Sequence, residues 1–431
     1  MSGEPLVLKR PERRRGAVAE REIVDRVSEM LREIERDGID AVRRYSRELD
    51  DWDPPTFQVS DEEIHRASAS LGDELVEAIE FAQNQVRGFA EAQLAMFTPL
   101  ETNPLPGVVL GHRHVPVDTV GSYVPGGRAP LLASSFMTVV VPRVAGVRRV
   151  VACAPPRGGA GIYPAMLHAM ATSGADAVFA IGGVQALAAM AYGLEGMGPV
   201  DLLCGAGNAY VAEAKRQLFG ITGIDLLAGP TEILVIADET ADPELVAADL
   251  LGQAEHGPTS PALLVTTSEA FGEIVLAELE RQLRELRSRE VAGQAWRDFG
   301  AVVVAEDREH AAQLADEWAP EHLEVQTADD EWYLERLRNY GSLFVGEDAT
   351  VAYSDKAIGT NHVLPTGRAA RYTGGLWVGR FLKTLTYQRV LSDEGTRTVG
   401  PPTVEICDAE LMWGHGDSVR RRLDRLGVEQ P

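Results

Sequence analysis

Lysine and cysteine are scarce in this 431-residue chain. Four lysines stand among 41 basic residues, and 65 acidic residues give a formal net charge of −24. Such a chain lacks the clustered basic face that a nucleic-acid partner requires. An acidic, lysine-poor surface favours solubility at high salt, where self-repulsion is screened, so we expect a halophilic protein. The three cysteines form no CxxC motif and no disulfide framework, which favours the reducing cytoplasm.

Long apolar runs are also missing. No stretch of about twenty apolar residues is present, so we expect no membrane span. The basic start of the chain, MSGEPLVLKRPERRRGAVAERE, lacks the apolar run of a secretory signal and is predicted to be a short frayed arm before a helix. Hydrophobic residues nevertheless make up 45% of the chain, enough for more than one sizeable core.

The periodicity changes along the chain. Residues 20–100 show apolar positions at spacings of three and four, which predicts helices. From Gly107 onward, short apolar runs alternate with helix-like stretches, which predicts βα units on mostly parallel sheets. The number of runs predicts an α/β fold with two separate α/β units. The runs are VVACAP, AVFAIGG, DLLCGAG, ILVIAD, ALLVTT, AVVVAED and SLFVG. A final helix is predicted in DAELMWGHGDSVRRRLDRL.

Two segments that pair a polar side chain with histidine could carry chemistry. Gln253-Ala-Glu-His256 ends a predicted helix, and the spacing of three places Gln253 and His256 on one face. This arrangement suits a zinc site, although a capped helix end is the alternative. Glu321 and His322 lie in a predicted turn before the run LEVQT. An imidazole beside a carboxylate suits proton transfer, and a plain turn is again the alternative.

The remaining histidines differ in how well their surroundings suit a metal ligand. The segment DKAIGTNH, from Asp355 to His362, is polar and lacks helical or strand periodicity, so packing alone explains it poorly. His415 lies on the predicted final helix, together with Glu410. These segments and the QAEH segment offer Gln, His, Asp and His side chains, a workable zinc set. His112 and His114 share one face of a predicted strand without a further ligand nearby, which favours a structural role.

Glycine turns at two predicted helix starts are candidate phosphate sites. Gly205-Ala-Gly207-Asn-Ala-Tyr210 follows a predicted strand, but Tyr210 occupies the third glycine position of a dinucleotide fingerprint. Gly182-Gly183 precedes another helix. Helix N-termini favour phosphate, yet such turns are also routine in α/β folds.

Several longer motifs, in their order along the chain, resemble the histidinol dehydrogenase family over residues 23–426. They are YVPGGR (Tyr123–Arg128), GGVQALA (Gly182–Ala188), GAGNAYV (Gly205–Val211), AGPTE (Ala228–Glu232), QAEHGP, APEHLEVQT and DKAIGTNHVLPTG. The resemblance implies an NAD- and zinc-dependent oxidoreductase that converts histidinol to histidine through the aldehyde, in two hydride transfers. It also implies a homodimer with an intertwined C-terminal tail.

The resemblance further implies a role for particular residues of this chain. The implied zinc ligands are Gln253, His256, Asp355 and His415, with His415 and Glu410 supplied across the dimer interface. His322 is the implied base, and Glu321 the implied activator of water. Substrate contacts are implied for Thr231, His362 and Glu410 as well as the zinc ligands and His322, and NAD contacts for Tyr123, Gln185 and Asn208. The implied division pairs residues 1–122 with 232–376 as a zinc-binding unit, inserts 123–231 as a Rossmann-like NAD-binding unit, and leaves 377–431 as a dimerisation tail.

Three departures from the family's pattern leave the substrate open. Thr231 stands where biosynthetic members commonly have serine, and bulky Trp413 falls within AELMWGH, where they read like AEGLxAH. The segments DKAIGTNHVLPTG and RYTGGLWVG resemble side branches that act on other small polyols, such as the sulfopropanediol dehydrogenases. We expect histidinol first and such an alcohol second. A zinc hydrolase is a rival from another class, disfavoured by the glutamine ligand and the glycine turns.

Overall fold

The computed structural model describes residues 5–12, 17–127 and 129–428. The chain forms two compact units. The larger comprises Met1–Ala92 and Val117–Phe381, and the smaller comprises Gln93–Pro116 and Leu382–Pro431. In both units, the type of each element follows the spacing of its apolar residues. None of the helices in the described ranges is long and apolar enough to cross a membrane.

The first described element is a strand, where we expected a frayed arm. Strand β1 (Leu6–Lys9) pairs antiparallel with a later strand, β11 (Ala301–Val304), so its backbone groups are hydrogen-bonded instead of solvated. Part of the predicted arm, Arg13–Arg15, lies outside the described residues. The predicted helical region is confirmed. It contains α1 (Ala17–Asp37), α2 (Ile39–Asp50), α3 (Asp61–Ala69) and α4 (Asp73–Leu94).

A parallel sheet with strand order β6-β5-β4-β7-β8 occupies the first α/β part of the larger unit. Its strands are β4 (Thr119–Tyr123), β5 (Arg149–Ala154), β6 (Ala177–Ala180), β7 (Leu202–Cys204) and β8 (Gly223–Ile224). The intervening helices are α5 (Leu132–Val144), α6 (Pro164–Thr172), α7 (Gly183–Tyr192) and α8 (Ala209–Leu218). The strand order reverses between β4 and β7, and in such sheets ligands bind beyond the carboxyl ends of the strands at this point.

A second sheet has the order β1-β11-β10-β9-β12-β13, in which all pairs except β1–β11 are parallel. Its other strands are β9 (Ile233–Ala237), β10 (Ala262–Thr266), β12 (His322–Gln326) and β13 (Ser342–Val345). The helices around it are α9 (Pro243–Ala254), α10 (Glu269–Glu285), α11 (Arg289–Phe299), α12 (Arg308–Trp318), α13 (Asp330–Arg336) and α14 (Val351–Lys356). Every apolar run that we predicted as a strand is one, which confirms the α/β fold.

The first helices pack against helices of the first sheet. Apolar residues of α1 and α2, among them Val27, Ile34 and Val42, share a core with Leu187 of α7 and Val211 of α8. The predicted pairing of residues 1–122 with 232–376 as one unit stays a prediction, and β1 joins the second sheet. The apolar stripes of α1 and α2 are buried by the helices that cover the first sheet. The boundaries of the proposed units themselves stay a prediction.

The smaller unit consists of an antiparallel sheet and two helices. The sheet has the order β14-β3-β2, and its strands are β2 (Leu100–Leu105), β3 (Val108–Pro116) and β14 (Leu382–Val390). Helices α15 (Asp393–Ala409) and α16 (Trp413–Arg425) follow. The predicted final helix is therefore shorter than expected. Glu410 caps the end of α15 and does not share a helix with His415, because the chain turns through Leu411 with a φ of 59°.

Candidate active site

The predicted acid–base pair lies at the amino ends of two neighbouring strands. Thr231 and Glu232 directly precede β9, while Glu321 precedes β12 and His322 is its first residue. Because β9 and β12 pair in parallel, with His322 opposite Ile233, their amino ends meet at one edge of the sheet. Our expectation of a turn histidine was wrong: His322 begins a strand and is only 2% exposed.

Hydrogen bonds fix the orientation of both catalytic candidates. The Glu321 Oε2 atom accepts hydrogen bonds from Thr231 Oγ1 at 2.5 Å and from the Glu232 amide at 2.9 Å. The Nδ1 atom of His322 lies 3.0 Å from the Glu232 carbonyl oxygen, so Nδ1 carries a proton and donates it. In the neutral ring the lone pair is then on Nε2. This atom lies 3.7 Å from Asp355 Oδ1, and it has no hydrogen-bond partner among the described residues.

Burial and the local charges shift the pKa values of both groups. Burial raises the pKa of Glu321 to about 7, against the opposing effects of His322 and of the hydrogen bonds from Thr231 and Glu232. Burial would lower the pKa of His322, but the negative charges of Glu321 and Asp355 outweigh it and raise this pKa to about 9. A carboxyl and an imidazole can therefore exchange protons within one site.

Three of the four predicted zinc ligands come together in this part of the larger unit. Gln253, the penultimate residue of α9, donates through Nε2 to Thr231 Oγ1. His256 Nε2 lies 3.7 Å from Asp355 Oδ2. Burial alone would raise the pKa of Asp355, but the imidazoles of His256 and His322 hold this pKa well below its usual range. The fourth ligand, His415, is an exposed residue of α16 in the smaller unit.

The chemistry of these donor atoms fits a zinc ion. Gln253 Oε1 and Asp355 Oδ1 are buried and have no hydrogen-bond partner in the described ranges. Unpaired buried acceptors are costly, and a cation satisfies them. Within those same ranges, no three His, Cys, Asp or Glu side chains are arranged to hold a metal. The predicted zinc set contains only two ligands of these types in the larger unit, His256 and Asp355. It therefore also requires the Gln253 amide and His415.

The segment predicted as an irregular polar loop begins inside a helix. Asp355 is the penultimate residue of α14, and the irregular stretch starts after Lys356. His362 Nδ1 lies 3.3 Å from the carbonyl oxygen of Asp355, and His362 Nε2 lies 2.7 Å from Ser134 Oγ. Burial lowers the pKa of His362 to about 4, so this imidazole is neutral at physiological pH.

The predicted NAD residues surround the point where the strand order of the first sheet reverses. Tyr123 ends β4, and its hydroxyl accepts a hydrogen bond from the Gly183 amide at 3.2 Å. Burial raises the pKa of this phenol to about 12. Gln185 is completely buried and donates to Asp50 Oδ2 at 3.0 Å, while its Oε1 atom has no partner among the residues described. An unpaired buried acceptor at a helix start suits a bound polar ligand.

Asn208 has a structural role that the sequence did not reveal. Its side-chain oxygen caps α8 by accepting hydrogen bonds from the amides of Tyr210 at 3.0 Å and Val211 at 3.1 Å. This cap holds the loop after β7 at the helix start. In doubly wound sheets, helix starts that follow a strand at this point are common places for a dinucleotide.

Three residues of the site escaped the sequence-based reasoning. Glu232 orients His322 through its backbone carbonyl, Ser134 contacts His362, and Asp50 contacts Gln185. Glu232 stands in the motif AGPTE, which was a usable signal. Ser134 and Asp50 carried none, because each lies more than 130 residues from its partner.

Comparisons with known proteins agree with this architecture. The family model described as histidinol dehydrogenase matches residues 13–423. A histidinol dehydrogenase homolog from Shouchella clausii is 50% identical over 401 residues, covering 93% of this chain and 94% of the relative. A sulfopropanediol 3-dehydrogenase from Ruegeria pomeroyi is 46% identical over 404 residues, covering 93% and 92%. The crystal structure of histidinol dehydrogenase from Elizabethkingia anophelis superposes with a TM-score of 0.89 at 31% identity, covering 97% of this chain and all of that one. The chain belongs to the histidinol dehydrogenase family, a family of oxidoreductases.

Proposed function

We propose that this chain is a cytoplasmic, zinc-dependent enzyme that oxidises L-histidinol to L-histidine with NAD. The observation that supports this most is the geometry of His322. Its Nδ1 atom is bound to a backbone carbonyl, and its unpartnered Nε2 atom faces Asp355, one of the proposed zinc ligands. An imidazole held in one tautomer beside a metal site is suited to accept a proton from an alcohol.

The reaction runs in two balanced oxidations. In the first, the neutral form of His322, which a zinc ion on Asp355 would favour by offsetting the negative charge there, accepts the hydroxyl proton at Nε2. The carbinol carbon gives hydride to NAD, which yields the aldehyde and one NADH. Glu321, whose pKa of about 7 allows it to exchange protons at neutral pH, removes a proton from water as the water adds to the aldehyde. His322 passes its first proton to solvent, and Glu321 returns its proton to the former aldehyde oxygen, which completes the hydrate. The hydrate then gives a hydroxyl proton to His322 and a second hydride to another NAD. The products are the acid, two NADH and two protons.

The metal and substrate contacts are assigned by type of side chain. Gln253, His256 and Asp355 of one subunit, with His415 of the partner subunit, would hold a zinc ion that lowers the pKa of the bound alcohol. Thr231 and the neutral imidazole of His362 line the same region and would contact substrate, as would Glu410 of the partner subunit. We propose a homodimer for this reason.

The cofactor would bind where the strand order of the first sheet reverses. Tyr123, Gln185 and Asn208 stand at the ends of β4 and at the starts of α7 and α8, close to the glycine turns of both helices. The backbone amides of such turns suit the pyrophosphate of a dinucleotide.

A sulfopropanediol is the second candidate substrate. It is supported by the 46% identity to the Ruegeria pomeroyi enzyme and by Trp413, which changes the segment that precedes the proposed ligand His415. A small sulfonated diol shares the oxidisable alcohol with histidinol but lacks the imidazole. The same base and metal could then serve either substrate.

Formation of NADH by the purified protein tests the proposal. The protein is incubated in high salt with NAD and either L-histidinol or sulfopropanediol, with and without a chelator. We expect two NADH for each histidinol consumed and loss of turnover with the chelator. NADH from sulfopropanediol alone would move the assignment to the second candidate. Absence of NADH with both, combined with hydrolytic activity, would support the zinc hydrolase instead.

Replacement of the base sharpens the test. His322→Gln should lower kcat by about 10²- to 10⁴-fold, the usual contribution of a positioned acid or base, with zinc content unchanged. The control is His310→Gln, which replaces a buried histidine of α12 outside the site and should keep the rate. Full activity of His322→Gln would overturn the assignment of the base.

A further inference from the structure

A completely buried ion pair lies beneath the glycine loop that follows β7. The side chain of Lys215, from α8, is 1% exposed, and that of Asp225, just after β8, is 0% exposed. The two charged groups are directly hydrogen-bonded. Neither residue belongs to the acid–base site or to the proposed ligand sets.

Both side chains of the pair bind the backbone of one residue, Gly205. Lys215 Nζ donates to the Gly205 carbonyl oxygen at 2.8 Å, and the Gly205 amide donates to Asp225 Oδ2 at 2.8 Å. Asp225 Oδ1 also accepts from the Leu226 amide at 2.5 Å. The ion pair therefore holds Gly205, the first residue of the loop, through both its backbone amide and its backbone carbonyl.

Gly205 is held in a position that few residues could occupy. Its φ is +116°, and a Cβ atom there would lie 2.1 Å from the backbone oxygen of Tyr123. Gly205 is thus pressed against the last residue of β4. From this point the chain continues through Gly207 to the Asn208 cap of α8.

Stability alone explains this ion pair poorly. Removing two charges from water is costly, and well-packed apolar residues are often as stabilising as a buried pair. The pair instead fixes a backbone conformation. Hydrogen bonds to charged groups are stronger than those between neutral groups, and here two of them converge on the backbone of Gly205. We propose that Lys215 and Asp225 are positioning residues that set the conformation of the loop Gly205–Asn208 for NAD binding. The inference rests on the proposed function, because it takes this loop as part of the NAD site.

The test is a neutral double variant, Lys215→Met with Asp225→Asn. It leaves no unpaired charge, and the amide keeps an acceptor for one of the backbone amides. If the pair positions the loop, the Kd of NAD from calorimetric titration and the KM of NAD should both rise by about tenfold, as expected when preorganisation is lost. The KM of the alcohol, the zinc content and kcat at saturating NAD should stay within about twofold of wild type.

A matched control lies on the same helix. Arg216→Met removes an ion pair with Glu213 next to Lys215 but does not touch the loop, so the Kd of NAD should not change. If the double variant does not fold, a second neutral variant, Lys215→Gln with Asp225→Asn, is measured, with the same direction expected. An unchanged Kd of NAD in the folded variant would overturn the inference.

The two proposals fail in different ways. Wild-type protein that binds NAD but forms no NADH would contradict the proposed function, while the binding titrations would still decide the role of the ion pair. Wild-type protein that does not bind NAD would overturn both. Normal NADH formation with an unchanged Kd in the double variant would overturn the positioning role alone.

Discussion

At the scale of single residues, Thr231 connects the base side of the site to the metal side. Its hydroxyl donates to Glu321 and accepts from the Gln253 amide nitrogen. Because that nitrogen is engaged, the amide oxygen of Gln253 is the atom left to face a metal. The methyl group that distinguishes threonine from serine is not needed for this bridge.

Removal of the bridging hydroxyl should be measurable. Thr231→Val leaves the Gln253 amide nitrogen without this acceptor and Glu321 with one donor fewer. Unpaired buried polar groups cost about 1–3 kcal/mol, so we expect the free energy of unfolding to fall by about that amount and the rate to fall with it. Thr231→Ser is the control and should behave like wild type. Urea unfolding, NADH formation and zinc content are the measurements, and a valine variant as stable and active as the serine variant would contradict the bridge.

At the scale of elements, β12 joins the base to the helices that carry the proposed ligands. His322, Glu324 and Gln326 alternate along the strand and so point to one face. Glu324 is completely buried and accepts from the Val351 amide of α14 at 3.1 Å, and Gln326 Nε2 donates both to Glu324 and to Asp249 of α9. Gln253 and Asp355 lie on those same two helices.

The buried carboxyl pair should make stability depend on pH. Burial and the nearby Asp249 raise the pKa of Glu324 well above its usual range, so the folded protein keeps a proton that the unfolded chain releases. Stability should therefore fall as pH rises above the unfolded pKa. Glu324→Gln should remove part of this loss, about 1 kcal/mol or more between pH 5 and pH 8, since each pKa unit is worth about 1.4 kcal/mol.

Thermal unfolding of the Glu324→Gln variant across this range checks the sign. The control is Glu278→Gln, because hydrogen bonds from Arg281 and Gln282 lower the pKa of Glu278 to about 2, and this surface group stays charged over the whole range. The control should keep the wild-type pH slope. An identical slope in the Glu324 variant would show that the pair holds no extra proton.

At the scale of the whole molecule, our proposal takes two residues of the site from a second subunit. Glu410 and His415 belong to the smaller unit, and both are exposed in the single chain. Exposed side chains of these types are free to serve a neighbouring subunit. In a twofold dimer such an exchange is reciprocal, so each subunit would complete the site of the other.

Complementation tests this exchange. His322→Gln lacks the base but keeps an intact tail, whereas His415→Ala keeps the base and lacks a ligand, so each homodimer should be nearly inactive. In co-expressed dimers, one site of each mixed dimer regains both residues, and about a quarter of the wild-type rate should return. Co-expression of His322→Gln with His322→Ala is the control and should restore nothing. If His415→Ala alone kept its rate and its zinc, the tail would have no part in the site.

The sequence by itself determined the types of the elements and the candidate residues of the site. Short continuous apolar runs sufficed to predict the strands, because the strands of a parallel sheet are buried on both faces. The residues Gln253, Glu321, His322 and Asp355 were recognisable from short motifs, since local spacing survives folding. The same local signal placed His322 in a turn and Glu410 on the last helix, both wrongly, because the ends of elements depend on pairing and turns beyond the motif.

Only the tertiary structure decided which of these residues meet. The parallel pairing of β9 with β12 brings Glu232 to His322 across 90 positions and selects the ring nitrogen that stays free. The packing of α1 and α2 and the burial of Lys215 with Asp225 were equally invisible in the sequence. The physical reason is that contacts between distant segments come from the packing of whole layers, which no local pattern of residues encodes.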